Sequence, residues 1–119
     1  GEGTSPANDG APALDRRTAD RVIALAGDVA NASSLHAALL WYKGQALRAL
    51  GLTTAARDAL TSALRRRKDR DPELLREIRR ERARVYAELG QRSRARKEWA
   101  RIYAEDPGDD EAARILGLT

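Results

Sequence analysis

Apolar residues recur along this chain with a helical period, and polar residues fill the gaps between them. Val22, Ile23, Ala26 and Val29 form one stripe, which predicts a helix from about Arg16 or Thr18 to Ala30. Asn31 to Ser34 interrupts the period, with Ser33 or Ser34 placed to cap a second helix. That helix is expected from about Leu35 to Leu50, stopped by Gly51. Thr53 or Thr54 is the expected cap of its partner, which continues to about Arg67. Pro72 suits the first turn of a fourth helix, which runs to Leu89 and stops at Gly90. A fifth helix is expected from about Arg92 or Ser93 to Ala104. Asp106-Pro107-Gly108 closes it, and Asp109 or Asp110 caps a short sixth helix that reaches Leu116. The expectation is an all-α fold of about six helices.

Two of these helix pairs share one pattern. In the first, Leu50-Gly51 is followed by Ala56, Leu60 and Ala63. In the second, Leu89-Gly90 is followed at the same intervals by Ala95, Trp99 and Ile102. A unit that appears twice signals a helical repeat, in which each unit buries its apolar face only by stacking on the next.

The pattern resembles the tetratricopeptide repeat (TPR). The second copy carries the family's signature types at Ala83, Tyr86, Gly90, Ala95, Trp99, Ile102, Tyr103 and Pro107. The first carries them at Gly44, Leu47, Gly51, Ala56, Leu60 and Ala63, and departs where Asp71-Pro72 arrives late. The turn glycines are 39 residues apart, against about 34 in a standard repeat. The resemblance implies repeats at about 37–70 and 76–109, within a helical domain of residues 14–119. The leading helix then occupies the place of a preceding repeat's second helix, and the last helix serves as a cap.

Composition narrows the function classes. Residues 1–13 are mostly Gly, Pro, Ala, Ser, Asn and Asp without apolar period, and read as a disordered tail or a linker. There is no Cys, which removes thiol chemistry, and a single His, His36, with no second His to share a metal. Ser34, His36 and Asp28 match no nucleophile motif, and Gly44, Gly51 and Gly90 form no phosphate loop. Asp106, Asp109 and Asp110 lack the alternating frame of a calcium loop and read as helix caps. No apolar run approaches the length of a membrane span. The chain is therefore expected to be non-enzymatic, free of cofactor and metal, and cytoplasmic. Its Ala and its preference for Arg over Lys point to a GC-rich bacterial genome.

The net charge of +4 admits acidic partners or nucleic acid. The densest positive run, Arg65-Arg66-Arg67-Lys68-Asp69-Arg70, sits at an expected helix end and has no interleaved aromatic residue for stacking bases. Nucleic acid is the lesser reading. In the repeat family the first helix of each pair lines a concave groove. The resemblance places Ala38, Trp41, Gln45 and Arg48 there from the first pair, and Glu77, Arg80, Arg84 and Ala87 from the second. Trp41, Gln45, Arg48, Arg80 and Arg84 are the expected contacts. They give one aromatic and one basic wall, suited to a protein or peptide segment with an apolar anchor and an acidic neighbour. Glu73, Glu77 and Glu81 each precede an Arg by three residues, so ion pairs along one helix are the competing use of those arginines. Self-association into a homo-oligomer and a regulatory role at the C-terminal part of a larger protein stay open beside groove binding.

Overall fold

The computed structural model describes residues 14–27 and 31–119. These form six helices: α1 (Arg16–Ala26), α2 (Ser34–Ala49), α3 (Thr53–Leu64), α4 (Pro72–Glu88), α5 (Arg92–Glu105) and α6 (Asp110–Ile115). No strand occurs among the described residues, and the fold is all-α. Each helix packs on its neighbours in the chain, and α2 also lies against α4. The 1–13 segment, Asp28, Val29 and Ala30 fall outside the described residues.

The two helix pairs superpose in register. Shifting α2 and α3 by 39 residues places them on α4 and α5 to within two residues at every end. The turns are built alike. At the end of α2, the Gly51 N–H donates to the Arg48 carbonyl and the Leu52 N–H to the Leu47 carbonyl. At the end of α4, Gly90 donates to Ala87 and Gln91 to Tyr86. These are paired Schellman bonds, and they require a left-handed residue after the cap. Gly51 (φ 79°) and Gly90 (φ 76°) supply it without a Cβ penalty. α6 closes on the same turn, with Gly117 donating to Arg114 and Leu118 to Ala113.

The pairs close on small-against-large contacts. Gly44 of α2 sits directly on Leu60 of α3, both buried. At the positions 39 further on, Ala83 and Trp99 pack in the same cluster. The main apolar cluster joins Leu40 and Leu47 of α2, Leu60 and Leu64 of α3, and Ile78 and Val85 of α4. A smaller one holds Ala83, Trp99, Ile102 and Ala112, flanked by Tyr103 and Leu116.

α1 runs to Ala26, where Gly27 turns the chain (φ 48°) while its N–H bonds the Ile23 carbonyl, and the expected end at Ala30 lies outside the described residues. Two boundaries of α3 differ from expectation. α3 has Leu52 at its N-cap with no side-chain bond, so neither Thr53 nor Thr54 caps it. The Schellman turn delivers the chain straight into the helix, and the Thr53 hydroxyl instead donates to the Gly51 carbonyl. α3 stops at Leu64, three residues before Arg67, and Asn31 accounts for how it stops. The Asn31 amide donates to the Ser62 and Ala63 carbonyls, two of the orphan acceptors at that helix end. Arg70 in turn donates to the Asn31 backbone and side-chain oxygens. Ser33 and Asp109 cap as the pattern allowed, accepting from the His36 and Ala112 N–H groups, and Asp71, not singled out from the sequence, caps α4 by accepting from the Glu73 N–H.

Candidate partner-binding face

The 39-residue register aligns Trp41 with Arg80 and Gln45 with Arg84, on the neighbouring helices α2 and α4. Arg48 stands one turn further along α2. The structure therefore brings all five expected residues to two adjacent helices. Trp41 divides its surface between two roles. It is half-buried and packs on the main apolar cluster, while its ring leans on Tyr42 with centroids 5.2 Å apart. Leu40 takes the fully inward position beside it. Gln45 is half-buried, and its amide nitrogen finds no partner among the described residues.

The three arginines are not an open basic wall. Arg48 bonds Glu81 and, at 2.9 Å, Glu88. Arg84 bonds Glu111 at 3.0 Å and reaches Glu81 at 3.5 Å. Arg80 bonds Glu111 at 3.0 Å, Asp109 through both terminal nitrogens, and Glu77 at 3.3 Å. The result is a continuous ionic strip from α2 across α4 to the start of α6. Three guanidiniums face five carboxylates, so the strip is net negative by two. The expected helix pairs Glu77–Arg80 and Glu81–Arg84 are present, and Glu73–Arg76 is absent among the ion pairs of the described residues.

The strip is partly desolvated, which makes its pairs count. The Glu81 carboxylate is almost wholly buried, and the Arg80, Arg84 and Asp109 side chains are each at least 86% buried. The Arg80 hydrogen bond holds Asp109 below the usual carboxylate range, against the opposing effect of burial. The same bond from Asp109 raises Arg80, and burial offsets part of that rise. For Arg48, burial acts downward, but the hydrogen bonds and charges of Glu81 and Glu88 together outweigh it, so the guanidinium is raised. Asp109 has two uses: it caps α6 through the Ala112 N–H and binds Arg80 across to α4. Sequence reasoning saw only the first, because the partners are 29 residues apart.

Elsewhere the aromatic residues are structural. Trp99 is buried, with the Arg80 guanidinium 5.7 Å from its ring. Tyr86 is buried between Arg82 and Arg94. The basic run after α3 is split: Arg65, Arg66, Arg67 and Lys68 are exposed, whereas Arg70 is tied to Asn31. No three His, Cys, Asp or Glu among the described residues are grouped to hold a metal ion. No described helix is long and apolar enough to cross a membrane. Compared with protein-family models, curated proteins and solved structures, this chain matches none.

Proposed function

We propose that this chain is a TPR-like repeat module that works by binding rather than by catalysis, in a bacterial cytoplasm. Its α2–α4 face takes a segment of a partner protein. The observation that carries this reading is the 39-residue register, with its repeated glycine turn, which sets equivalent faces of α2 and α4 side by side. A rigid face of that kind binds without paying to order itself.

The ionic strip alters the expected chemistry of the partner. An acidic segment would have to displace Asp109 and Glu111 from Arg80 and Arg84, and would meet net negative charge. The favoured segment carries an apolar or aromatic anchor for the Trp41–Tyr42 edge. Selection of displayed peptides on the immobilised chain tests this. Binding of the selected peptides is expected to fall at least tenfold in Trp41→Ala and in Ala87→Glu, with helical circular dichroism unchanged. Peptides that bind both variants as well as the parent would remove this face as the site.

A second reading, self-association, rests on one specific comparison. Leu35 and Tyr42 correspond to Leu74 and Glu81, which the first pair covers. Leu35 and Tyr42 have no such cover among the described residues: they are 68% and 48% exposed, and Leu25 on α1 is 83% exposed. Stacking of a second copy there predicts a mass that rises with concentration in light scattering and collapses to monomer in Leu35→Glu with Tyr42→Glu. A constant monomer mass over the whole range removes this reading.

A further inference from the structure

Between the helices of each pair runs an open cleft, on a different side of α4 from the ionic strip. The two clefts are the same feature 39 residues apart. The first, of about 490 Å³, is lined by Leu40, Lys43 and Leu47 of α2 and by Ala55, Asp58 and Ser62 of α3. The second, of about 400 Å³, has Arg79, Arg82 and Tyr86 at the corresponding places on α4, and Arg94, Lys97 and Arg101 on α5. Glu98 replaces Ala59 at the floor. One scaffold thus carries two chemistries. The first cleft has one cation and one carboxylate. The second has five cations against Glu98, and Glu105, paired to Arg101 at 3.5 Å, reduces that excess by one. The fold does not require the charge, because the first pair forms the same cleft without it.

Arg79 makes the point most sharply. It occupies the position of buried Leu40 and is itself only 4% exposed. Its one ion pair among the described residues is with Glu98, at 3.5 Å. Glu98 is already committed to Arg82, whose Nε donates to it at 2.7 Å and whose terminal nitrogen lies 2.5 Å away. One carboxylate therefore serves two cations, the buried Arg79 and the partly buried Arg82. Burial, and then the nearby Arg101 charge, lower the Arg79 pKa, so its charge is held at a cost. A buried guanidinium that shares its counter-charge is a standing demand for an anion.

We propose that the α4–α5 cleft is a binding site for a short chain of linked phosphates. Arg79 presents its planar fork to phosphate oxygens from the floor, beside an Arg82 already held by Glu98 and the Thr61 hydroxyl, and Arg94, Lys97 and Arg101 close over it from α5. The Arg79, Arg82, Tyr86 stripe covers two helical turns, about 10 Å. That length spans more than one phosphate, and the cations are spread along all of it. The site is independent of the α2–α4 face, so either assignment can fail alone.

Titration calorimetry of the intact chain with inorganic tripolyphosphate at low salt tests the proposal. The parent is expected to bind one equivalent. Lys97→Asp with Arg101→Ser, which installs the residues of the first cleft at two exposed positions, is expected to weaken binding at least tenfold with unchanged circular dichroism. Arg79→Leu, which leaves Glu98 its Arg82 partner, is expected to weaken it at least fivefold. Arg16→Glu with Arg21→Glu on α1 keeps the affinity within twofold. A nucleoside triphosphate that binds tenfold tighter than tripolyphosphate assigns the site to a nucleotide tail, and equal affinity assigns it to the inorganic chain. No heat with tripolyphosphate, or equal loss in the α1 variant, overturns the proposal. So does tighter binding of a hexaglutamate peptide, which makes the cleft a dock for acidic protein. Tighter binding of a single-stranded oligonucleotide, lost in the same variants, overturns it in favour of nucleic acid.

Discussion

Gly44→Ala isolates the contact that closes the first helix pair. A methyl group built on Gly44 lies 2.5 Å from one Leu60 terminal carbon and 2.7 Å from its Cγ. Leu60 is fully buried, so it has no free space to turn into. Overpacking of this kind costs typically about 1–3 kcal/mol. Alanine is also the better helix former, which returns about 1 kcal/mol in mid-helix. The net expectation is a loss of up to about 2 kcal/mol, with a fall in Tm of up to roughly 15 °C for a domain near this size. Urea denaturation followed by circular dichroism measures it. The decisive control is the same change in a Leu60→Ala background. There the obstruction is gone, and Gly44→Ala is expected to stabilise by up to about 1 kcal/mol, although Leu60→Ala itself costs about 2–5 kcal/mol. The sign of one substitution thus reverses with its neighbour. Gly44→Ala that stabilises the parent chain would refute the close approach and the register built on it.

The turns and the ionic strip carry the other expected outcomes. Gly51→Ala and Gly90→Ala meet no atom within 4 Å, so each is expected to cost only the left-handed backbone penalty, about 1–2 kcal/mol by urea denaturation, and Asn at either site less. The Asp109 pKa is depressed in the folded state, so its contribution is complete above the ordinary carboxylate range and is lost as pH falls through the folded value. Hydrogen exchange at Ala112, Ala113 and Leu116 is therefore expected to speed up below about pH 4, before the α2–α3 amides respond. Asp109→Asn keeps an N-cap side chain but loses the charge held by Arg80, and is expected to produce the same faster exchange at neutral pH. Arg80→Glu with Arg84→Glu sets two new carboxylates against Asp109 and Glu111, and is expected to release α6, read as new trypsin cleavage at Arg114.

The local rules of helix beginnings and ends made much of this fold legible. Ser33 and Asp109 act as caps, Pro72 opens α4, and Gly51 and Gly90 turn the chain because such residues satisfy the local backbone. The helix pairs arise from the repeated Gly-to-Ala-to-large-residue spacing. What escaped was set by residues distant in sequence. Asn31 stops α3 from 31 residues upstream, and no window centred on Leu64 contains it. Arg80 and Arg84 looked available because the nearest acids in sequence are single i,i+3 partners. Their stronger partners, Asp109 and Glu111, arrive only when α6 folds back. Trp41 and Leu40 are adjacent on one helix, and only the packing of α3 decides which of them goes inward. The basic cleft went unnoticed for a related reason. Its charges alternate between two helices, so no single run of sequence displays them together.

The unequal apolar clusters give the chain a direction in its cooperativity. An array held by nearest-neighbour contacts opens first where its coupling is weakest. The α2–α3 pair is anchored by aliphatic residues shared with α4, whereas α6 is attached by Ala112, Leu116 and a few ion pairs. Opening is therefore expected to begin at α6, while α4 keeps its contact with the first pair through Ile78 and Val85. A molecule of this kind unfolds as a zipper does, with its start defined by sequence position, and salt sets how easily the first tooth slips.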